Sequence, residues 1–415
     1  MAVELTDEQI TLKKEILHWY KHYGQGKPYY YYSGAAGTGK TTVIQSVIEE
    51  LGLDDEEVMA CAYVGKAVLV LMRHGLRAST IHSLIYKPVF ENVKEFQQDD
   101  FGEIKEVTKK KMHFVLKDKL PSAIKLIIID ECAMVNDKMR EDVLSFGIPV
   151  VMTGDQNQLP PVFGTSSILD NPDFVLTKIM RQAESNPIVY LSQCILKNEE
   201  IDYGIYGSSK VVTHVPIDRN IVTDYDMIIC AKNKTREELN DRIRAEVFHY
   251  DDRKPMLGDK VICRRNDWNE CINGIYLTNG LVGYVTDIDY CSMYRNVIYI
   301  DFRPDFMDEG DEFTQLSLDY KFMKADWKDK KEFGISFNDM ERFEYAYAIT
   351  AHLSQGSEYP RVLFMDESFH DPVTLQRLRY TAITRAMDSI TYVKAEHPKK
   401  FYYNYNGYSY TIPSA

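Results

Sequence analysis

Gly34-Ala35-Ala36-Gly37-Thr38-Gly39-Lys40-Thr41 fits the pattern Gly-x-x-x-x-Gly-Lys-[Ser/Thr] at every position. Upstream, Tyr29 to Tyr32 reads as a short aromatic strand. Downstream, Val43, Ile44, Val47, Ile48 and Leu51 fall on one helical face. In that order, strand, glycine loop and helix let backbone amides curl round a polyphosphate, and the helix N-terminus adds partial positive charge. Lys40 then reaches the terminal phosphates, and Thr41 puts its hydroxyl on Mg2+. The implied ligand is a nucleoside triphosphate held by Gly34, Ala35, Ala36, Gly37, Thr38, Gly39, Lys40, Thr41 and Thr42. A glycine turn followed by a lysine is the plain alternative, and it needs no such flanking elements.

The rest of the chain sets the frame. Its 415 residues exceed one ordinary core and predict two or more domains. With 45% apolar and 27% charged residues it reads as a globular protein. No apolar run is long enough to span a bilayer, and the acidic, polar start at Met1 to Gln9 does not read as a signal peptide. The seven cysteines include no Cys-x-x-Cys pair, which argues for a reducing compartment, the cytoplasm of a bacterial or phage-infected host cell. The net charge of −13 counts against a nucleic-acid partner, whose phosphates need Lys and Arg. A groove can still be locally basic. Lys109-Lys110-Lys111 and Arg264-Arg265 are local clusters, or equally solvated faces.

Two α/β units follow from the order of apolar runs. The first continues through a strand at Val58 to Val64, a helix at Ala67 to Met72, the strand Leu126 to Ile129 and the strand Val150 to Met152. Continuous apolar runs of this kind suit parallel strands covered on both faces. Between them, Lys87 to Leu120 is charged and dotted with aromatics, and reads as a β-hairpin insertion. A second unit starts with a strand at Met227 to Ala231 and a helix bearing Leu239, Ile243, Val247 and Phe248. It resumes at Tyr345 to Thr350, with strands near Val362 to Met365 and Ile390 to Val393. Short alternating strands with Asn273-Gly274 and Asn279-Gly280 turns interrupt it and predict a small β-barrel. The Tyr- and Asn-rich tail from Phe401 is either a docked extension or a loose end.

Asp130-Glu131 closes the apolar strand Leu126 to Ile129. In phosphate-loop enzymes such an acid holds magnesium, and its neighbour can act as general base on water. Further segments stand in a fixed order. They are Thr6-Asp7-Glu8-Gln9, Gly65-Lys66-Ala67, Thr80-Ile81-His82-Ser83, Gly154-Asp155-Gln156-Asn157-Gln158-Leu159-Pro160-Pro161, Met180-Arg181-Gln182, Thr350-Ala351-His352-Leu353-Ser354-Gln355-Gly356-Ser357-Glu358 and Tyr380-Thr381-Ala382-Ile383-Thr384-Arg385. This series resembles the superfamily 1B helicases, in particular the RecD-like group with its compact phage members, from Thr6 to about Val393.

The resemblance implies an α/β fold of two RecA-like parallel-sheet lobes, with an inserted β-hairpin (pin) subdomain and an inserted SH3-like β-barrel. Residues 1–86 and 121–182 would form lobe 1A, 87–120 the pin-type insertion 1B, 183–255 and 341–415 lobe 2A, and 256–340 the SH3-like insertion 2B. It implies ATP and Mg2+ as cofactors, and 5′-to-3′ movement on single-stranded DNA that separates forked or tailed duplex DNA. Replication or recombination proteins would be further partners, with no membrane. By the same resemblance Gln9 reads adenine, Lys40 and Thr41 hold phosphate and metal, Asp130 binds magnesium and Glu131 activates water. Gln158 senses the terminal phosphate, Arg181 and Arg385 reach the phosphates from across the cleft, and Gly356 and Glu358 lie at the nucleotide, Glu358 on the ribose. Lys66, Thr80, His82, Thr350, His352 and Ser354 lie in segments that line the strand channel. Trp268 and Trp327 are stacking or core residues, and Phe90, Phe96, Phe101 and Phe114 are candidates for the pin tip. Two departures stand out. Leu353 replaces a common lysine and Ala133 a common serine. Three other readings stay open: a translocase that displaces bound proteins, a non-catalytic DNA-binding scaffold, and an ATPase independent of nucleic acid.

Overall fold

The computed structural model describes residues 5–98, 104–160, 171–179, 186–250, 253–272, 275–290, 297–319, 322–323, 325, 342–369, 371–395, 401–405 and 408–412. Helix α1 (Asp7–Lys21) starts where Thr6 accepts the Gln9 N–H and the Gln9 side chain accepts the Thr6 N–H, a reciprocal cap. Strand β1 (Tyr29–Gly34) leads into the glycine loop, and helix α2 (Lys40–Leu51) leaves it, ending at Gly52 with φ +64°. Strand β2 (Val58–Ala62), helix α3 (Gly65–Arg73), strand β3 (Ala78–Thr80) and the short helix α4 (Ile81–Ile85) follow.

Strands β4 (Tyr86–Gln98) and β5 (Ile104–Leu116) form an antiparallel hairpin. Its register pairs Phe114 with Pro88 near the base, where the Phe114 ring packs by Tyr86 and His82. Phe114 is therefore not at the tip. The side chains of Phe90 and Phe96 and all of Phe101 lie outside the described residues.

Strand β6 (Leu126–Ile129), helix α5 (Asp137–Leu144), strand β7 (Val150–Gly154) and strand β8 (Phe174–Leu176) complete a six-stranded sheet in the order β3-β2-β6-β7-β1-β8. Every pairing in it is parallel. All four β6 side chains are fully buried, each contributing about 2 kcal/mol to the core. In-register pairing of β1, β7 and β6 brings the glycine loop, Asp155 and Asp130 out at the same carboxyl edge, the usual place for a ligand in such a sheet.

The second half repeats the plan. Strands β9 (Gly204–Tyr206), β10 (Ser209–Val212) and β11 (Met227–Cys230) join three later strands in a sheet ordered β19-β11-β20-β21-β10-β9. Those strands are β19 (Ala348–Thr350), β20 (Tyr359–Met365) and β21 (Ala386–Val393). Only the β9–β10 edge is antiparallel. Between β11 and β19 lies a five-stranded antiparallel sheet with its own apolar core. It contains β12 (Lys260–Cys263), β15 (Val282–Asp289), β16 (Val297–Pro304), β17 (Phe313–Asp319) and β18 (Phe343–Tyr345), with β13 (Asp267–Ile272) and β14 (Ile275–Leu277) as a separate ribbon.

Sequence reading takes Tyr345 to Thr350 as one resumption of the parallel sheet. The structure splits it. Tyr345 pairs with Val261 in the small sheet, while Ala348 pairs with Ile228 in the large one. Both pieces are apolar and buried, so hydropathy alone cannot mark the crossing. The chain ends in a two-stranded pairing of β22 (Phe401–Tyr405) with β23 (Tyr408–Ile412). Arg181, Gly274 and Trp327, and the side chain of Trp268, lie outside the described residues.

Candidate active site

The loop after β1 is shaped by glycines. A Cβ on Gly34 would meet Thr38 Oγ1 at 2.5 Å, and Gly37 and Gly39 take φ of +80° and +76°. Lys40 Nζ donates to Gly34 O at 2.7 Å, and Thr38 Oγ1 to Ala35 O at 2.9 Å. The N-terminal end of α2 opens at this loop and presents its first-turn backbone N–H groups there, with no side-chain cap.

Gln9 packs against this loop. It is 1% exposed, and its Nε2 donates to Thr38 O at 2.9 Å while its Oε1 accepts Thr6 N–H. The amide thus ties the start of the first helix to the phosphate loop, and Gln9 is not among the residues that line the cleft.

Asp130 follows β6 and lines the cleft with Glu131. Loss of water around it, then the neighbouring Glu131 charge, push its carboxyl up to about 6, against the pull of Lys40. Glu131 has φ +50° and donates its N–H to Asp130 Oδ1 at 2.9 Å. A non-glycine residue held in this region stores backbone strain, a frequent mark of a reactive position. Gly154 is required at the end of β7, because a Cβ there would meet Cys132 Sγ at 2.8 Å. Next to it, Asp155 is buried, and Gln158 reaches the same cavity. Ala133, where a serine was expected, is fully buried in the first-half core.

The facing wall comes from the second half. Gly356, Glu358, Thr384 and Arg385 line the same cavity of about 400 Å³ as the glycine loop, Thr41, Thr42, Asp130 and Glu131. Gly356 has φ +68°, and a Cβ on it would meet Val64 Cγ2 at 2.5 Å, so glycine permits the close approach of the halves. Arg385 is buried. Its Nη1 donates to Ser357 O and its Nε to Thr381 O, both at 3.2 Å.

Four bonds missed from sequence cross this cleft. Tyr380 OH accepts the Ala36 N–H, Thr381 Oγ1 accepts the Leu159 N–H, and Gln355 Nε2 donates to Leu159 O. Tyr380 also donates to the Asp155 carboxylate. The signal was available, since Tyr380 and Thr381 open the segment that ends at Arg385 and Asp155 stands in the Gly154 segment.

A second hollow, about 260 Å³, runs between the first half, the antiparallel sheet and the second half, lined by Tyr63, Lys66, Arg264, Asn279 and His352 among others. Of the strand-channel candidates, only Lys66 and His352 line it. Lys66 Nζ is already 3.0 Å from Asp305 Oδ2 and 4.0 Å from the Tyr359 ring centroid. Thr80 caps α4 by accepting the Ser83 N–H at 3.1 Å. His82 packs among Tyr63, Tyr86 and Phe114, and burial lowers the pKa of both His82 and His352. Thr350 is buried and accepts the Leu353 N–H. Ser354 is fully buried and donates to Ala351 O at 2.8 Å. The hydroxyls of Thr80, Thr350 and Ser354 are thus used within the protein. Leu353, in place of lysine, packs on the second-half core. A surface hollow of about 430 Å³ beside Trp19 and Tyr29 is as large as the cleft, but neither the glycine-loop residues nor Asp130 and Glu131 line it.

Comparison with known proteins matches residues 5–207 to an AAA domain and residues 345–390 to a UvrD-like helicase C-terminal domain. An ATP-dependent RecD2 DNA helicase of Deinococcus radiodurans is 26% identical over 389 residues, covering 86% of this chain and 45% of the relative. The ATP-dependent DNA helicase dda of Enterobacteria phage T4 is 22% identical over 432 residues, covering 87% of this chain and 93% of the relative. The chain spans less than half of the RecD2 relative's length. A crystal structure of a Bacteroides Pif1 bound to ssDNA aligns with TM-score 0.48 and 20% identity over 94% of this chain and 92% of the other. Among the described residues, no helix is long and apolar enough to cross a membrane.

Proposed function

We propose that this chain, a superfamily 1B, RecD-like helicase by its two matched domains and its relatives, is an ATP-driven motor that travels 5′-to-3′ along single-stranded DNA and separates duplex DNA. The observation that carries this reading is a cavity with the phosphate loop and acidic pair on one wall and Gly356, Glu358 and Arg385 of the other half on the facing wall. A nucleotide there touches both halves, so its arrival and loss change their spacing, and a motor step is that change repeated.

In this reading Lys40 and the loop amides hold the phosphates, and Arg181 and Arg385 stabilise charge on the phosphoryl group as the halves close. Glu131 orients the attacking water and takes its proton, Gln158 senses the terminal phosphate, and Glu358 contacts the ribose. Thr41 and Asp130 suit Mg2+, since one hydroxyl and one carboxylate leave the remaining positions to phosphate oxygens and water. When bound, Mg2+ offsets phosphate charge.

The strand is proposed to run through the hollow lined by Tyr63, Arg264, Asn279 and His352, where flat side chains stack on bases and cations and amides meet phosphates. Hairpin β4–β5 would be the separating pin, and the five-stranded antiparallel sheet the SH3-like insertion. The domain limits given above follow from these identities. Forked or tailed DNA would be the substrate, replication or recombination proteins the companions, and the cytoplasm the compartment.

Steady-state phosphate release with and without single-stranded oligonucleotide tests the coupling, alongside unwinding of duplexes tailed at the 5′ or the 3′ end. Strong stimulation with unwinding of the 5′-tailed substrate is expected. An unresponsive rate contradicts the motor. Stimulated hydrolysis with streptavidin displacement but no strand separation would assign the chain to the protein-clearing translocases instead.

A further inference from the structure

Tyr380 lies in the helix Pro372–Ile383 of the second half and is fully buried. Its hydroxyl accepts the Ala36 N–H at 2.9 Å and donates to Asp155 Oδ2. Asp155 Oδ1 is taken by the N–H and the side-chain amide of Asn157, each at 3.0 Å. Burial, then the Asp155 charge, push the phenol well above its ordinary pKa, so it stays a neutral group with one proton to give. That proton goes to Asp155, and the phenol oxygen is what Ala36 meets.

Ala36 belongs to the loop whose backbone amides serve phosphate oxygens, and it lines the cleft. A phenol oxygen on that amide occupies a place that a phosphate oxygen of a bound nucleotide would claim. We propose that Tyr380 is a positioning residue that reports phosphate-loop occupancy to the second half, because its hydroxyl and a phosphate oxygen compete for the Ala36 N–H. The inference rests on the nucleotide reading of the cleft. The exchange replaces one acceptor by another, so it costs little, yet it frees the helix carrying Tyr380 from the loop. The bonds from Thr381 and Gln355 to Leu159 remain. The helix is then still tied to the 155–159 segment and pivots on it, turning the end that bears Arg385.

The test is Tyr380→Phe, which keeps the ring and removes the competitor. Calorimetric titration should give about 2- to 10-fold tighter binding of ATPγS and ADP, with adenosine, which has no phosphate, unchanged. Equal or weaker binding of the phosphorylated ligands, with a lower melting temperature, would make Tyr380 a structural brace and overturn the proposal. A wild-type chain that binds neither nucleotide would overturn the underlying reading as well. Should the variant fail to fold, 3-fluorotyrosine placed at position 380 of the full chain provides a second readout. Its fluorine resonance should move on adding ATPγS, and an unmoved signal in a chain that binds ATPγS overturns the competition.

Discussion

Two seams join the halves of this molecule, and they are made of different materials. Along the phosphate cleft the crossing contacts are mostly hydrogen bonds to backbone, from Tyr380, Thr381 and Gln355. Beside Lys66 the seam is ionic. Lys66 from α3 meets Asp305, which directly follows β16, and Lys260 and Asp226 line the same hollow. A backbone hydrogen bond can be exchanged for one to a ligand at small net cost. Parting a buried ion pair strands two charges and costs several kcal/mol. On the proposed reading, the first seam can change partners as nucleotide comes and goes, while the second holds the antiparallel sheet against the first half.

Breaking the cleft seam's chemistry should produce the largest effect. Lys40→Ala is expected to lower turnover by about a thousandfold, with the circular dichroism melt unchanged. A variant that keeps a tenth of wild-type phosphate release would contradict the assigned role. Arg385→Ala comes next, with about a hundredfold loss of turnover (about 2.7 kcal/mol) and a smaller loss of nucleotide affinity. If affinity collapses while bound nucleotide still turns over, Arg385 serves binding alone.

The ionic seam is tested by stability. Asp305→Asn leaves Lys66 without its counter-charge and should cost about 2.5 kcal/mol in urea unfolding, discounted from a fully buried pair because both side chains keep some exposure. Lys66→Met with Asp305→Leu should restore most of it. A single-variant loss near zero would mean that this seam bears no load.

The smallest expected effect is a pH dependence at Lys260. Burial pushes its ammonium down from 10.5 to about 8, with Asp305 opposing and Lys66 adding to the push. Between those values the unfolded chain binds more protons than the folded one, so the wild type gains stability as pH rises. Relative to Lys260→Met, it should gain about 2 kcal/mol between pH 8 and pH 10. A constant difference in paired melts would contradict the assigned environment.

The same contrast explains what the sequence made legible. The phosphate loop is backbone chemistry at fixed spacing, and Gly34, Gly37, Gly39 and Lys40 announce it whatever surrounds them. Asp130 and Glu131 were readable because an apolar strand must end where they stand. Both parallel sheets were readable from runs such as Leu126 to Ile129. The residues proposed to face the strand were less so, because a hydroxyl has several uses and only packing decides among them. Ser354 and Thr350 serve the turn they sit in, and Thr80 serves a helix cap. Gln9 lies against the phosphate loop, but its amide is already shared between Thr6 and Thr38. The pairing of Lys66 with Asp305 spans 239 positions, and no local pattern encodes it. Tyr380 was in plain view within a quoted segment, but its role depends on which amide its oxygen meets.

Oligonucleotide affinity measured with and without a non-hydrolysable ATP analogue tests the central claim most directly. If the cleft couples the two halves, nucleotide and strand are linked through one free energy, and the analogue should change strand affinity by about fivefold or more. Identical affinities in the empty and nucleotide-filled states, in a chain that binds both ligands, would contradict the account.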